Sequence, residues 1–233
     1  GASRGLGREI ALRFGSMGER IVVNYLSSEM AATDVVGEIC RSGGNAVAVR
    51  ADVRLSSAVD AMMSDTVNRW GRVDVIVNNA GVTNDGLMLR MNEQAWDDVV
   101  ETNLTGAFHV TRAASKIMST RDGGHIINIA SIIGAHGREG QANYSSSKAG
   151  LIGLTKACAC ELGEFNIKVN AVLPGYLPTE MSDDVSQVVR ERVLRENALH
   201  RLSEPREVAE FIYRLSLMGN VSGQVFNLDS RIV

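Results

Sequence analysis

A tyrosine and a lysine four residues apart, Tyr144 and Lys148, are the residues of this chain best suited to proton transfer. On a helix this spacing places the phenol and the ammonium on one face, about one turn apart. A neighbouring lysine favours the phenolate, and lowering the pKa of the phenol by about 3 units would take roughly 4 kcal/mol. An amphipathic helix with a solvated lysine would show the same spacing.

Two further polar residues accompany this pair. Ser131 lies 13 residues before Tyr144, and Asn103 lies 41 before it. Singly, Ser131 would be a strand-end cap and Asn103 a mid-helix kink. Together with the tyrosine and the lysine, they indicate a catalytic constellation.

The chain opens with a glycine-rich turn, GASRGLG at residues 1–7, ahead of an amphipathic helix. Glycines let the backbone approach a pyrophosphate, whose charge then lies at the positive end of the helix. The spacing is G-x-x-x-G-x-G rather than G-x-G-x-x-G. A helix-capping loop could carry the same glycines.

Predicted helices and strands, which must position these residues, alternate along the chain. Leu6, Ile10, Phe14 and Met17 form one helical stripe, which is typical of the segments between the strands. Strands that are almost entirely apolar are buried on both faces, which predicts a parallel sheet with helices on each side. The strand candidates are 21–25, 46–51, 73–79, 125–131, 167–173 and 224–229.

Length, composition and charge limit the classes of protein to which this chain can belong. With 233 residues, 45% of them hydrophobic, the chain suits one catalytic domain over 1–233, with the polar segment 174–203 as a substrate-side lid. A net charge of −3 gives no reason to expect nucleic-acid binding, and no apolar run predicts a membrane span or a signal peptide. The cysteines and histidines show no metal spacing, and three reduced thiols suit a cytoplasmic protein.

These motifs together resemble those of the short-chain dehydrogenase/reductase family, and within it the bacterial 3-oxoacyl-(acyl carrier protein) reductases. The resemblance covers all 233 residues. It rests on GASRGLG, NNAG at 78–81, Asn103 in ETNLTGAF, Ser131, YSSSK at 144–148 and PGYLPT at 174–179.

The family fold is an α/β, doubly wound Rossmann sheet of seven parallel strands, of which six are visible in this sequence. A phosphate-type turn at Gly1 needs a strand that leads into it. We therefore expect that the natural polypeptide has residues before Gly1, and that the first strand is missing from the given chain.

The resemblance implies a role for each member of the constellation. Tyr144 would be the general acid in reduction of a ketone to a secondary alcohol. Lys148 would lower the pKa of Tyr144 and bind the nicotinamide ribose, and Ser131 would hold the substrate oxygen. Asn103 would fix a water molecule that joins Lys148 to solvent.

The predicted cofactor is NADP(H). NAD enzymes of this fold place an acidic residue after the second strand, but here no carboxylate precedes Glu29, and Arg4 can meet a 2′-phosphate. By resemblance, Asp52 and Val53 cradle the adenine, and Leu177 and Thr179 bind the carboxamide. The full predicted set is Gly1, Ser3, Arg4, Gly5, Leu6, Gly7, Asn24, Tyr25, Ser27, Asp52, Val53, Asn79, Ala80, Gly81, Tyr144, Lys148, Pro174, Gly175, Leu177 and Thr179.

The sequence specifies the substrate less strongly than it specifies the cofactor. The resembled reductases carry basic residues near the active-site mouth that bind the acidic carrier; one maps close to Arg121, and the other falls near Phe165. Their terminal Gly-Gly pair is replaced here by Ser230-Arg231. A 3-oxoacyl thioester on acyl carrier protein remains the preferred substrate. A free ketone, a coenzyme A thioester and a sugar-type alcohol stay open, as do an epimerase or dehydratase and a non-catalytic nucleotide-binding relative.

The resemblance also predicts a homotetramer. One interface would use helices at about 97–119 and 142–162, and the other the last helix and strand, 205–229. The outward apolar positions of the first are expected to be Val99, Leu104, Phe108 and Leu154. The alternative is that these side chains face the core of their own chain.

Overall fold

The computed structural model describes residues 1–177 and 187–231, without the side chains of 187–190. Parallel strands alternate with helices, as the sequence predicts. The strands are β1 (Arg20–Tyr25), β2 (Asn45–Arg50), β3 (Val75–Asn78), β4 (Gly124–Ile129), β5 (Ile167–Leu173) and β6 (Val225–Asn227). The helices are α1 (Gly5–Ser16), α2 (Glu29–Arg41), α3 (Ser56–Trp70), α4 (Glu93–Val100), α5 (Gly106–Met118), α6 (Ile132–His136), α7 (Ala142–Leu162), α8 (Gln187–Glu196) and α9 (Pro205–Leu215).

The strands form two sheets in the described part of the chain rather than one continuous sheet. β1 pairs with β2, while the other four follow the order β3-β4-β5-β6, and every pairing is parallel. A cavity of about 580 Å³ separates β1 from β3, because no described strand lies between them. The α/β class with parallel strands is confirmed, and a seventh strand stays a prediction.

The start of the chain joins the two sheets at their carboxyl ends. The backbone N–H of Ala2 donates to the Asn24 carbonyl at 3.0 Å, and the Asn79 side chain donates to the Gly1 carbonyl at 2.7 Å. The glycine-rich turn therefore lies between the ends of β1 and β3.

Helices cover the four-stranded sheet on both faces. On one face α1 packs against α9, where the rings of Phe14 and Tyr213 meet edge to face at 5.1 Å. On the other face α3 and α5 bury residues such as Val59 and Val110 against the sheet. Met17, expected on the buried stripe of α1, follows the last residue of that helix and is 45% exposed.

A buried polar chain ties α5 and α7 to the middle of the sheet. The Asn78 amide donates to Thr111 Oγ1 at 3.1 Å and to Asn128 Oδ1 at 2.8 Å. The Asn128 amide in turn donates to Thr155 Oγ1 at 2.8 Å. These bonds satisfy amides that water cannot reach, and they fix α7 relative to β4.

Two predicted segments differ in detail from the structure. The helix expected at about 97–119 consists of α4, a π-helical turn at Glu101–Thr105, and α5. Of the predicted lid, residues 178–186 lie outside the described residues, and α8 occupies part of the remainder. None of the described helices is long and apolar enough to cross a membrane.

Candidate active site

The predicted site residues gather where the parallel strands end. Ser131 follows β4, Asn79 follows β3, Asp52 follows β2 and Pro174 follows β5. Open parallel sheets bind ligands in the crevice at this edge, where helix N-termini also point.

Helix α7 carries both Tyr144 and Lys148 in its first two turns. Lys148 is 4% exposed, and its Nζ donates to the Ile129 carbonyl at 2.7 Å, which anchors it at the end of β4. The same Nζ lies 5.7 Å from the centroid of the Tyr144 ring. Burial lowers the pKa of Lys148 to about 8.

The expectation that the pKa of Tyr144 is lowered is wrong for this arrangement. Burial raises the pKa of Tyr144 above its ordinary value, the Ser131 hydroxyl opposes that rise, and the Asp85 carboxylate adds to it. The Lys148 ammonium, which donates to the Ile129 carbonyl, does not outweigh the effect of burial on this pKa. The phenol is therefore protonated at neutral pH, as a general acid must be.

Ser131 lies at the turn between β4 and α6. As the residue before α6, it accepts a hydrogen bond from the Ile133 N–H at 3.2 Å, so the capping role considered from the sequence is present. The same hydroxyl also interacts with the phenol of Tyr144. The structure thus brings Ser131 and Tyr144 together.

Asn103 lies in the π-helical turn and is 1% exposed. Its Oδ1 accepts from the Val82 N–H at 2.8 Å, and its Nδ2 donates to the Val82 carbonyl at 3.0 Å and to Ser147 Oγ at 3.2 Å. Both amide protons are used, so the side chain can only accept one further hydrogen bond. π-helical turns inside helices are rare and occur frequently at functional sites.

Two residues that the sequence did not single out border the tyrosine. Gln141 Nε2 donates to Asp85 Oδ2 at 2.8 Å, and this carboxylate raises the pKa of Tyr144. The pairing joins residues 56 positions apart, so no local spacing could reveal it.

The glycine-rich turn packs tightly against the loop after β3. A Cβ on Gly7 would overlap the Gly1 carbonyl oxygen and approach Asn79 Nδ2 to 2.6 Å, so no side chain fits there. Gly1 and Arg4 are exposed in this turn, immediately ahead of the N-terminus of α1. This arrangement fits a phosphate group.

The other predicted cofactor residues differ in how they could contact a ligand. Arg4 and Ser27 are exposed, and Ser3 and Gly5 are partly buried. Leu6 and Tyr25 have buried side chains in the core, so only their backbones could reach a cofactor.

Asp52 and Asn24 are both held in place. The Arg54 side chain bonds both carboxylate oxygens of Asp52 and holds the pKa of that carboxyl below its usual range. The Asn24 side chain donates to the Ala51 carbonyl at 3.0 Å. The carbonyl of Val53 contacts the His109 ring at 3.2 Å.

Gly81 and the loop after β5 complete the predicted set. A Cβ on Gly81 would lie 3.2 Å from Asn103 Oδ1 and 3.7 Å from Lys148 Nζ, so Ala80 and Gly81 lie beside the catalytic candidates. Pro174, Gly175 and Leu177 follow β5. Thr179 lies outside the described residues.

The positions considered for carrier binding lie elsewhere. Arg121 precedes β4 and donates to the Gly71 carbonyl at 3.4 Å, and Phe165 precedes β5. Both therefore lie at the amino edge of the sheet. β4 separates Arg121 from Ser131 by about 20 Å. The expectation that Arg121 lies near the mouth of the site is therefore wrong for the site of its own chain.

Comparison with known proteins places the chain in a family. The sequence pattern of the family described as short chain dehydrogenase matches residues 1–189. A 3-oxoacyl-[acyl-carrier-protein] reductase of Synechocystis sp. is 44% identical over 236 residues, covering 100% of this chain and 94% of the relative. The reductases of the same name from Staphylococcus aureus and Staphylococcus epidermidis are 44% and 43% identical over 212 residues, covering 91% of this chain and 86% and 87% of the relatives. The chain is therefore an oxidoreductase of the short-chain dehydrogenase family.

Proposed function

We propose that this protein reduces the 3-oxo group of an acyl thioester on acyl carrier protein to a 3-hydroxy group, with NADPH as the reductant. The observation that carries the proposal is the meeting of Ser131, Tyr144 and Lys148 beside Gly81, whose neighbour Ala80 packs against Gly1 of the glycine-rich turn. The names of the similar proteins support the same substrate class.

The proposed mechanism divides the proton transfer among these three side chains. The nicotinamide cofactor, when bound, would supply the hydride that reduces the carbonyl carbon. The phenol of Tyr144 gives its proton to the carbonyl oxygen, and burial keeps that phenol protonated beforehand. The Ser131 hydroxyl donates to the same oxygen and stabilises the charge that develops there.

Lys148 has two parts in the proposal. Its buried ammonium lies close enough to the phenol to stabilise the phenolate that remains after proton transfer. Lys148 would also hold the nicotinamide ribose of a bound cofactor. Asn103 holds the loop at Val82 against α7 and so keeps the neighbourhood of Lys148 in place.

The choice of NADPH rests on charge at the ends of α1 and β1. Arg4 is exposed immediately before α1, and no carboxylate lies between the end of β1 and Glu29. A guanidinium is a good partner for a 2′-phosphate, whereas an acidic residue would bind a free 2′-hydroxyl.

We also propose that the enzyme acts as a homotetramer. The support is an exposed apolar residue on α5, Phe108, and an exposed face of small residues on α7. Packing of α5 and α7 against other copies would steady the helix that carries Tyr144.

The decisive experiment follows NADPH consumption with a 3-oxoacyl-(acyl carrier protein), its coenzyme A analogue and a set of free ketones. We expect the carrier-bound substrate to give the highest kcat/KM. A preference for a free ketone would refute the substrate class. No net oxidation with any substrate would favour an epimerase, a dehydratase or a non-catalytic protein.

A further inference from the structure

A groove of about 480 Å³ lies beside the N-terminus of α7. One wall is the segment 87–90, and the other is the turn 138–140 with Ala142. The two walls are joined where the Gly86 N–H donates to the Gly140 carbonyl at 2.8 Å. The Gln141–Asp85 hydrogen bond braces the same junction.

The first wall of the groove is unusually apolar for an exposed surface. Leu89 is 100% exposed, Met88 is 71% exposed and Leu87 is 48% exposed. Contiguous exposed apolar side chains rimmed by polar residues mark binding surfaces. This wall therefore suits the apolar part of a ligand.

The rim of the groove is basic. Arg90 and Arg138 are exposed on opposite walls, and neither forms an ion pair with another residue of the described chain. Glu139 is the acidic residue of this lining, so the rim carries one net positive charge. Guanidinium groups recognise phosphate through paired, charge-assisted hydrogen bonds.

The groove leads toward the catalytic helix. The Asp85 carboxylate, which joins the two walls through Gln141, also interacts with the phenol of Tyr144, so the junction of the two walls lies beside that tyrosine. A ligand in the groove can thus have one end near the phenol and the other at the arginines.

We propose that this groove binds the phosphorylated pantetheine arm of the acyl thioester, with its phosphate on Arg90 and Arg138 and its apolar atoms on Leu87–Leu89. This inference rests on the proposed function, since it names the part of the substrate that this enzyme would hold outside the reacting carbons. The arm is common to acyl carrier protein and coenzyme A.

The test compares substrates that share the reacting group and differ in phosphate. Wild type, Arg138→Ala and Arg90→Ala are assayed with a 3-oxoacyl-(acyl carrier protein), the coenzyme A thioester and the neutral N-acetylcysteamine thioester. We expect each variant to raise KM about tenfold or more for both phosphorylated substrates without changing kcat. For the neutral thioester, both KM and kcat should stay at their wild-type values. Arg41→Ala, an exposed arginine at the end of α2, is the matched control.

Other results would overturn the inference. Equal losses with the neutral thioester would mean that the arginines act on the fold. A loss confined to the carrier-bound substrate would place the arginines against the carrier protein itself. Calorimetric binding of acetyl coenzyme A gives a readout that needs no turnover, and equal affinities of wild type and Arg138→Ala would refute the site even if the proposed reaction failed.

Discussion

Tyr144 is the residue on which the proposed chemistry depends most directly. Tyr144→Phe keeps the ring but removes the proton donor, so we expect kcat to fall about 10²–10⁴-fold with little change in KM. Steady-state kinetics with NADPH and a 3-oxoacyl thioester provides the measurement. Tyr213→Phe, on α9, is the control and should keep wild-type kcat. A Tyr144→Phe enzyme with more than a tenth of wild-type kcat would exclude this role.

Arg4 is the residue expected to select the cofactor. Arg4→Ala should weaken NADPH binding about 10- to 150-fold, the equivalent of one charge-assisted hydrogen bond of roughly 1.5–3 kcal/mol. NADH lacks the 2′-phosphate, so its affinity should stay nearly unchanged. Fluorescence titration of both cofactors measures this, with Arg4→Lys as the variant that keeps the charge. If both cofactors weakened equally, Arg4 would be a structural residue.

Lys148 makes stability depend on pH. The folded protein releases this proton near pH 8, whereas the unfolded chain holds it until about 10.5, so stability rises with pH between these values. Relative to Lys148→Met, the free energy of unfolding of wild type should increase by roughly 3 kcal/mol across that interval. Denaturant unfolding of both cofactor-free proteins at several pH values measures the difference. If the free energies of unfolding of the two proteins changed in parallel with pH, burial would not destabilise the charged form of Lys148.

At this scale the sequence indicated the main residues but not their surroundings. Tyr144, Lys148 and Ser131 could be named because together they resemble the motif of a known family, and Tyr144 and Lys148 share one regular helix. Asp85 and Gln141 could not, since their contact depends on how two loops meet. The rise in the pKa of Tyr144 was missed for the same reason: it comes from burial, which no spacing encodes.

Among the elements, α7 must hold its position on β4 for the site to exist. Thr155 Oγ1 accepts from the fully buried Asn128 and donates to the Leu151 carbonyl at 2.8 Å. Thr155→Val keeps the shape but leaves the Asn128 amide unsatisfied, which should lower the free energy of unfolding by about 1–3 kcal/mol. Thr155→Ser retains the hydroxyl and should cost only about 1 kcal/mol for the lost methyl. Chemical denaturation would contradict this if Thr155→Val proved no less stable than Thr155→Ser.

Strand bounds were predictable to within two residues because buried parallel strands are short apolar runs bounded by polar turns. The π-helical turn at Glu101–Thr105 was not, since its extra residue is stabilised by the contact of Asn103 with Val82. Likewise Met17 continues the apolar stripe of α1 in sequence, but the helix ends one residue earlier. Apolar periodicity identifies the buried face of a helix. It does not show where tertiary contacts end the helix or change its register.

At the scale of the whole molecule, strand order decides which residues can cooperate. Arg121 and Phe165 lie at the amino edge of the sheet, away from Tyr144, and sequence order alone could not show this. An arginine at that edge can approach a catalytic site only if another copy of the chain presents one there. Carrier binding and assembly are therefore linked questions for this protein.

The predicted interface residues divide into two groups in the structure. Val99 is completely buried, and Leu104 and Leu154 pack against a core cluster, so for these three the alternative of packing in their own chain applies. Phe108 is 41% exposed on α5, with the Arg112 guanidinium 5.3 Å from its ring. Helical periodicity could not separate the two groups, because the π-helical turn at Glu101–Thr105 changes the register between α4 and α5.

The remaining exposed surface still favours a tetramer with two interfaces. On α7, Ala149, Gly153 and Ala157 are exposed at four-residue intervals, which leaves a smooth face that another helix can approach closely. At the other end of the four-stranded sheet, β6 is an edge strand among the described residues, and Leu217 is 65% exposed after α9. Edge strands and exposed apolar patches are both suited to association.

Light scattering at micromolar concentration tests the assembly. We expect a mass about four times the 25.1 kDa of one chain. Phe108→Glu places a charge in the interface of α5 and α7, so its mass should fall to that of a dimer, and kcat should fall with it because α7 loses its support. Met30→Glu, at an 81% exposed position on α2, is the control and should remain tetrameric. A wild-type mass of one chain would refute the tetramer, and a stable wild-type dimer would leave only one of the two interfaces.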